Sequence, residues 1–386
     1  MGLRSKTGVV EMLQWSRRSV LKWGLASAVI VTSGGVSAFG FQDASAVNAK
    51  EYQQVVTKAV SFLRAEGQAD DGSFSGKAGT GPTSLVVAGL LSVGQTPNDP
   101  VVAKALKFLE ANVREDGGIY AENSRHKNYE TCIAVVCLTK ANSDGRFDAI
   151  LKKADKFLRD LQWDEGEGKA ATDMEYGGAG YDSKGRPDLS NTAFFIEALK
   201  SAGAGEDDEA IQRALKFVSR CQNLENEAND APVSAKVNDG GFFYTIGGGG
   251  ESKAGGDTTA GLRSYGSMTY AGLKSMIYAG VDKDDKRVKA ALEFLKKNYD
   301  LETNPGMGKS GLFYYYHTMS KALDALGEGE FVDANGMKHD WKKELFTELK
   351  ESQQENGSWV NSDSRWMEGD PNLVTGYVLL ALGYCK

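Results

Sequence analysis

Ala105-Leu106-Lys107-Phe108-Leu109 is the stretch on which the fold turns, because the chain repeats it. The same signature stands at Ala59-Val60-Ser61-Phe62-Leu63, Ala154-Asp155-Lys156-Phe157-Leu158, Ala214-Leu215-Lys216-Phe217-Val218 and Ala291-Leu292-Glu293-Phe294-Leu295. A sixth, weaker copy puts Leu349 in place of the phenylalanine, and Gln162, Gln222 and Gln354, each five residues further on, anchor the alignment. Apolar residues at i, i+3 and i+4 with lysines between them make a helix with one buried face. Successive anchors lie 46, 49, 60, 77 and 55 residues apart, so insertions enlarge copies three and four. Recurrence at such a period is the signature of a repeat architecture.

A glycine turn bearing an aromatic or aliphatic residue follows each helix, as in Asp71-Gly72-Ser73-Phe74, Asp116-Gly117-Gly118-Ile119, Asp239-Gly240-Gly241-Phe242 and Asn356-Gly357-Ser358-Trp359. Glycine supplies the positive φ and the ring can staple the turn to the next repeat. A second, more apolar helix then begins. Thr83, Thr131, Thr192 and Thr375 each stand seven residues before a leucine, with Thr269 and Thr318 in similar places. Threonine at such a boundary is expected as an N-cap. Helices apolar nearly all round, such as 85–91 and 375–382, belong inside something. Twelve helices alternating amphipathic and apolar therefore predict an all-α fold, an α/α toroid of six helical hairpins in two concentric rings. An open solenoid is the alternative; the apolar helix running almost to Lys386 favours closure, since a solenoid end wants a polar cap.

Charge and composition exclude other classes. A net charge of −7 leaves no basic surplus for a nucleic-acid partner. Four cysteines in 386 residues make no disulfide scaffold, and none forms a CxxC pair. Forty-six glycines beside seven prolines indicate many tight turns rather than collagen or a disordered linker. Residues 1–46 read as an export signal: Ser16-Arg17-Arg18-Ser19-Val20-Leu21-Lys22 resembles a twin-arginine motif, an apolar stretch follows, and Ala44-Ser45-Ala46 offers small residues for a peptidase. The expected location is periplasmic or extracellular. The signal is either cleaved or kept as an anchor; residues 47–386 then form one toroid domain without a transmembrane helix.

Gln354-Glu355-Asn356-Gly357-Ser358-Trp359 resembles the QW repeat of the squalene–hopene cyclases, and the other turns look like worn versions of it. The resemblance to the terpene cyclase and protein prenyltransferase toroids covers nearly all of residues 50–386. It implies a central cavity reached by the N-terminal ends of the inner helices. Cyclases of that kind protonate an alkene from an Asp-x-Asp-Asp-Thr-Ala sequence. Here Asp188-Leu189-Ser190-Asn191-Thr192-Ala193 keeps Asp188, Thr192 and Ala193 but has Ser190 for the proton donor. A serine hydroxyl is far too weak an acid for that step. The prenyltransferase zinc ligands would fall near Tyr265, Ser267 and His317, and two of those three are not zinc donors. No metal and no cofactor is expected.

The candidate catalytic residues are His317, whose ordinary pKa lies near neutrality, and Asp188, whose carboxylate a helix dipole would hold ionised. Ser190, Asn191, Tyr265, Ser267, Tyr316 and Glu130 are the expected lining of the pocket. The ligand is a small molecule or glycan in the central cavity, either isoprenoid-like or glycosidic. Two alternatives stay open. A polysaccharide hydrolase or lyase would use the acids of copies three and four: Asp173, Glu175, Asp182, Asp188, Asp239, Glu251 and Asp257. A non-catalytic toroid would present its face to a protein. The run Gly247–Gly250 lacks the lysine of a nucleotide loop and reads as a flap over the cavity. Nothing in the sequence fixes the oligomeric state.

Overall fold

The computed structural model describes residues 47–182 and 184–386; the export segment at 1–46 lies outside the described residues. Six amphipathic helices, α1 (Ala49–Phe62), α3 (Pro100–Ala111), α5 (Asp148–Arg159), α7 (Glu209–Arg220), α9 (Lys286–Lys297) and α11 (Trp341–Glu351), alternate with six apolar ones. The latter are α2 (Gly81–Ser92), α4 (Lys127–Ala141), α6 (Leu189–Ser201), α8 (Gly266–Tyr278), α10 (Leu312–Leu326) and α12 (Pro371–Leu382). A short helical turn at Ser234–Val237 and two antiparallel pairs of two-residue strands decorate the loops. Each amphipathic helix buries only a stripe: α5 hides Ala154, Phe157 and Leu158. By contrast α2 buries every residue from Gly81 to Leu90, which fixes the apolar set as the inner layer.

The inner ring closes. Helix α2 packs on α4, α4 on α6, α6 on α8, α8 on α10, α10 on α12, and α12 returns to α2. At that last seam Gly89 and Gly376 let the two helices touch backbone to side chain: a Cβ on Gly89 would stand 2.8 Å from the Leu379 Cβ. The outer ring closes beside it. Gln353 Nε2 donates to the Val55 carbonyl at 3.0 Å, Lys350 pairs with Glu51 at 2.8 Å, and the Tyr52 hydroxyl donates to the Leu382 carbonyl at 3.0 Å. The fold is the expected all-α toroid of six hairpins, closed rather than open.

Two details of the repeat differ from expectation. The threonines are not N-caps. The capping positions belong to Thr80, His126, Asp188, Tyr265, Gly311 and Asp370. Each threonine lies inside the helix instead, where its hydroxyl accepts the amide of the turn's apolar residue: Phe74 to Thr83 at 2.9 Å, Ile119 to Thr131 at 3.0 Å, Ala179 to Thr192 at 3.0 Å and Phe242 to Thr269 at 3.1 Å. It pins turn to inner helix, and in copy five Thr318 bonds only within its own helix. The anchoring glutamine of copy six is Gln353, not Gln354. Gln162, Gln222 and Gln353 each donate to their own glycine turn and to the next outer helix, in its first turn for Gln162 and Gln222 and its second for Gln353. Gln68 does the same in copy one, a residue later than the spacing predicts, because a π-turn at Leu63–Gly67 inserts a residue there.

Candidate functional site

The inner helices bring their N-terminal ends to one side of the ring, and Asp188 is set there by its role as N-cap of α6. Its carboxylate accepts from the Asn191 amide at 2.9 Å and from Asn191 Nδ2 at 2.7 Å. Burial pushes this carboxyl up to about 6, against the Asn191 bonds and the Tyr244 hydroxyl that favour its ionised form. The expected lowering by the helix dipole is therefore overturned: loss of hydration outweighs the cap.

Tyrosines gather around Asp188 at this end of the axis, and the patch they outline is termed the funnel. The rings of Tyr129, Tyr244 and Tyr314 are half-buried and that of Tyr181 is exposed. Ser190 Oγ meets the Tyr314 hydroxyl at 3.0 Å, and the Tyr129 and Tyr181 rings lie 6.1 Å apart. Below this level side chains meet across the axis. Phe194 on α6 stacks on His317 of α10 at 6.4 Å and stands edge-on to Tyr129 of α4 at 5.4 Å, while His317 lies 5.5 Å from Tyr377 of α12. The broad central cavity that the resemblance implied is thus filled at mid-height, and what is left of it is the funnel. Two surface clefts of about 570 Å³ lie away from the axis, one between α7 and the start of α9 and one between α5 and the C-terminal ends of α4 and α6.

His317 forms the floor. It is 1% exposed, and its Nδ1 has no hydrogen-bond partner among the described residues. Burial pushes its pKa well below the usual value, with Lys321 acting in the same direction, so the imidazole is neutral at pH 7. A buried polar atom without a partner costs about 1–3 kcal/mol. Among the described residues no three His, Cys, Asp or Glu side chains are grouped to hold a metal ion.

The structure brings Asp188, Ser190, Asn191 and His317 to the funnel and sends the other expected residues elsewhere. Tyr265 is buried as the N-cap of α8 and backs the funnel behind Tyr314. Ser267 is clamped by Asn304, which accepts its amide at 3.0 Å and donates to its hydroxyl at 3.2 Å. Tyr316 turns away from the axis and donates to the Leu301 carbonyl at 2.5 Å, since adjacent residues of a helix cannot share a face. Glu130 is a buried tie between repeats: it accepts from the Thr80 amide at 2.7 Å, the Ala121 amide at 3.0 Å and the Ser124 hydroxyl.

The acids of copies three and four are engaged in turns and ion pairs. Asp173, Asp182 and Asp257 each accept local backbone amides, and Asp239 accepts from the Gly241 amide and the Ser264 hydroxyl. Glu251 pairs with Arg186 and Lys253. Glu175 accepts the Gly248 amide at 3.1 Å, which pins the glycine run expected to be a flap. Only Asp188 of this group faces the funnel. Sequence reasoning missed Tyr129, Phe194 and Tyr377, although Phe194 follows Ser190 by one helical turn and Tyr377 follows Thr375 in the last inner helix.

A closed double ring of six hairpins defines the α/α toroid class of the terpene cyclases. No family model matches the chain. Among solved structures, the apo type II terpene cyclase MstE from Scytonema matches at a TM-score of 0.52 and 14% identity, covering 87% of this chain and 98% of that one. A variant of the same enzyme in complex with geranylgeranyl dihydroxybenzoate matches at a TM-score of 0.38 and 12% identity, covering 87% and 97%. The first likeness establishes the terpene-cyclase fold. No helix among the described residues is long and apolar enough to cross a membrane.

Proposed function

We propose that this is an exported binding protein that takes the ring-bearing or branched end of an isoprenoid-type ligand into the aromatic funnel and does not cyclise it. The observation that carries the reading is the plug of Phe194, His317, Tyr129 and Tyr377 across the axis. It occupies the axis where a folded polyprene would have to lie, and above it stand rings that can stack on apolar groups. Ser190 in place of the cyclase acid and a neutral floor histidine agree with binding without alkene protonation. A bound ligand carrying one oxygen function would meet His317 Nδ1, Asp188 and the tyrosine hydroxyls. Export rests on Arg17-Arg18 and the apolar stretch after them.

Native mass spectrometry of the protein from its own compartment, followed by organic extraction, tests the proposal. A terpenoid should co-purify, and Tyr129→Ala with Tyr314→Ala should weaken its rebinding roughly thirty-fold, about 2 kcal/mol. An empty protein that binds no prenol would overturn it. A second reading, a glycan ligand, draws on the rings standing open on the surface: Tyr181 at the rim and Trp366 in the loop before α12. Saturable binding of an oligosaccharide but of no prenol would select it.

A further inference from the structure

Three inner helices each carry one buried charged side chain toward the axis: Glu197 on α6, Lys274 on α8 and Lys321 on α10. Each lies about 12 Å along its helix from the N-terminal end, at 1.5 Å per residue, on the far side of Phe194 and His317 from the funnel. They are 4%, 2% and 4% exposed. Lys274 Nζ donates to Glu197 Oε2 at 2.6 Å and Lys321 Nζ donates to Glu197 Oε1. Burial works against the Glu197 carboxylate, yet Lys274 and Lys321 together hold it below the usual carboxylate range.

The balance of donors does not close. Two ammonium groups offer about six N–H donors, and among the described residues Glu197 is the acceptor of both. One carboxylate also faces two cations. The C-terminal dipoles of the inner helices favour positive charge here, and Lys274 Nζ lies 5.9 Å from the Phe194 ring centroid, but among the described residues neither ammonium donates to a backbone carbonyl. His317 Nδ1, likewise without a partner, belongs to a ring in the same field. Toward the C-terminal ends of the inner helices Lys140 is exposed and Tyr278 and Tyr384 are half-buried, and Lys274 Nζ lies 5.7 Å from the Tyr278 ring centroid.

We propose that Lys274 and Lys321, held apart by Glu197, form a binding site for a small oxyanion, a carboxylate or a phosphate, entering between Lys140, Tyr278 and Tyr384. The site lies on the far side of Phe194 and His317 from the funnel. The anion supplies the acceptors that the two ammonium groups lack and offsets their excess charge.

Thermal unfolding of the full protein in inorganic phosphate, and separately in acetate, at constant ionic strength tests this. One of the two should raise Tm with a saturating concentration dependence, and which one does so assigns the anion class. Lys321→Met keeps Glu197 and Lys274 as a balanced pair and should weaken the anion's apparent affinity at least tenfold. No saturating rise in the parent protein, or an equal rise in Lys321→Met, would overturn the site. Should Lys321→Met fail to fold, Lys140→Met at the open mouth takes its place: a several-fold weaker affinity supports the entry path, and an unchanged one overturns it.

Discussion

Asp188 and His317 stand at one end of the axis and titrate in opposite directions, which makes the site readable by pH. The Asp188 pKa is raised to about 6 by burial, so the folded state holds a proton that the unfolded chain has released. Its contribution is fully present below the unfolded value and is lost as pH rises through about 6; a two-unit shift corresponds to about 3 kcal/mol. Asparagine caps a helix as well as aspartate does and carries no charge to bury. Asp188→Asn should therefore match the parent near pH 3.5 and be more stable by about 1–3 kcal/mol at pH 7. Urea unfolding across that range checks it, and parallel curves for the two proteins would sink the assignment. His317 works the other way: its pKa is depressed, so it withdraws stability as pH falls through 6.5, and that slope should survive in Asp188→Asn.

At the scale of the element, five of the six glycine turns bolt one repeat to the next by backbone contact, while in copy five a Cβ on Gly311 would meet the Trp366 ring instead. Gly357 has φ +94°, and a Cβ there would drive into the Lys58 carbonyl of α1; Gly177 meets the Arg213 carbonyl in the same way. Gly203 also has positive φ, +101°, but open space around it. An alanine in the left-handed region costs about 1–2 kcal/mol by itself. Gly203→Ala should lose about that much, and Gly357→Ala several kcal/mol more, because the clash falls on backbone that cannot swing aside. Equal losses in denaturant unfolding would show that the seam is not tight. These turns were legible in the sequence as glycines beside a ring, and the helices as a period, because burial writes itself into spacing. The bolts were not. A threonine hydroxyl reads as a cap from sequence, and only the closing of turn onto helix reveals that Thr83 or Thr269 accepts an amide from outside its own helix. Gln68 was hidden by the extra residue of a π-turn. The site was less legible than the fold for a similar reason. Glu197, Lys274 and Lys321 come from three helices and mean something only once the ring sets them face to face.

Closure is the property of the whole molecule that no single hairpin holds. In an open stack the terminal repeats lack a neighbour on one side and can unfold ahead of the rest. In this ring every inner helix has two neighbours, and the last junction is made by α12 on α2 where Gly89 and Gly376 remove the bulk that would keep the helices apart. A Cβ on Gly376 would lie 3.1 Å from the Val86 nitrogen and 3.3 Å from its Cα. A leucine there cannot fit without separating α12 from α2. The parent protein should therefore unfold in one transition, with far-UV circular dichroism and tyrosine fluorescence superposing. Gly376→Leu should split it, the hairpins flanking the opened seam melting first while the opposite side of the ring, with Phe194 and Glu197, holds to higher temperature. Hydrogen exchange distinguishes the outcomes. Early exchange confined to α1, α2, α11 and α12 in the variant marks closure as the source of cooperativity. Uniform loss of protection around the ring would mean that the repeats are coupled through the packed axis instead, with the ion cluster and the aromatic plug holding all six hairpins to one melting event.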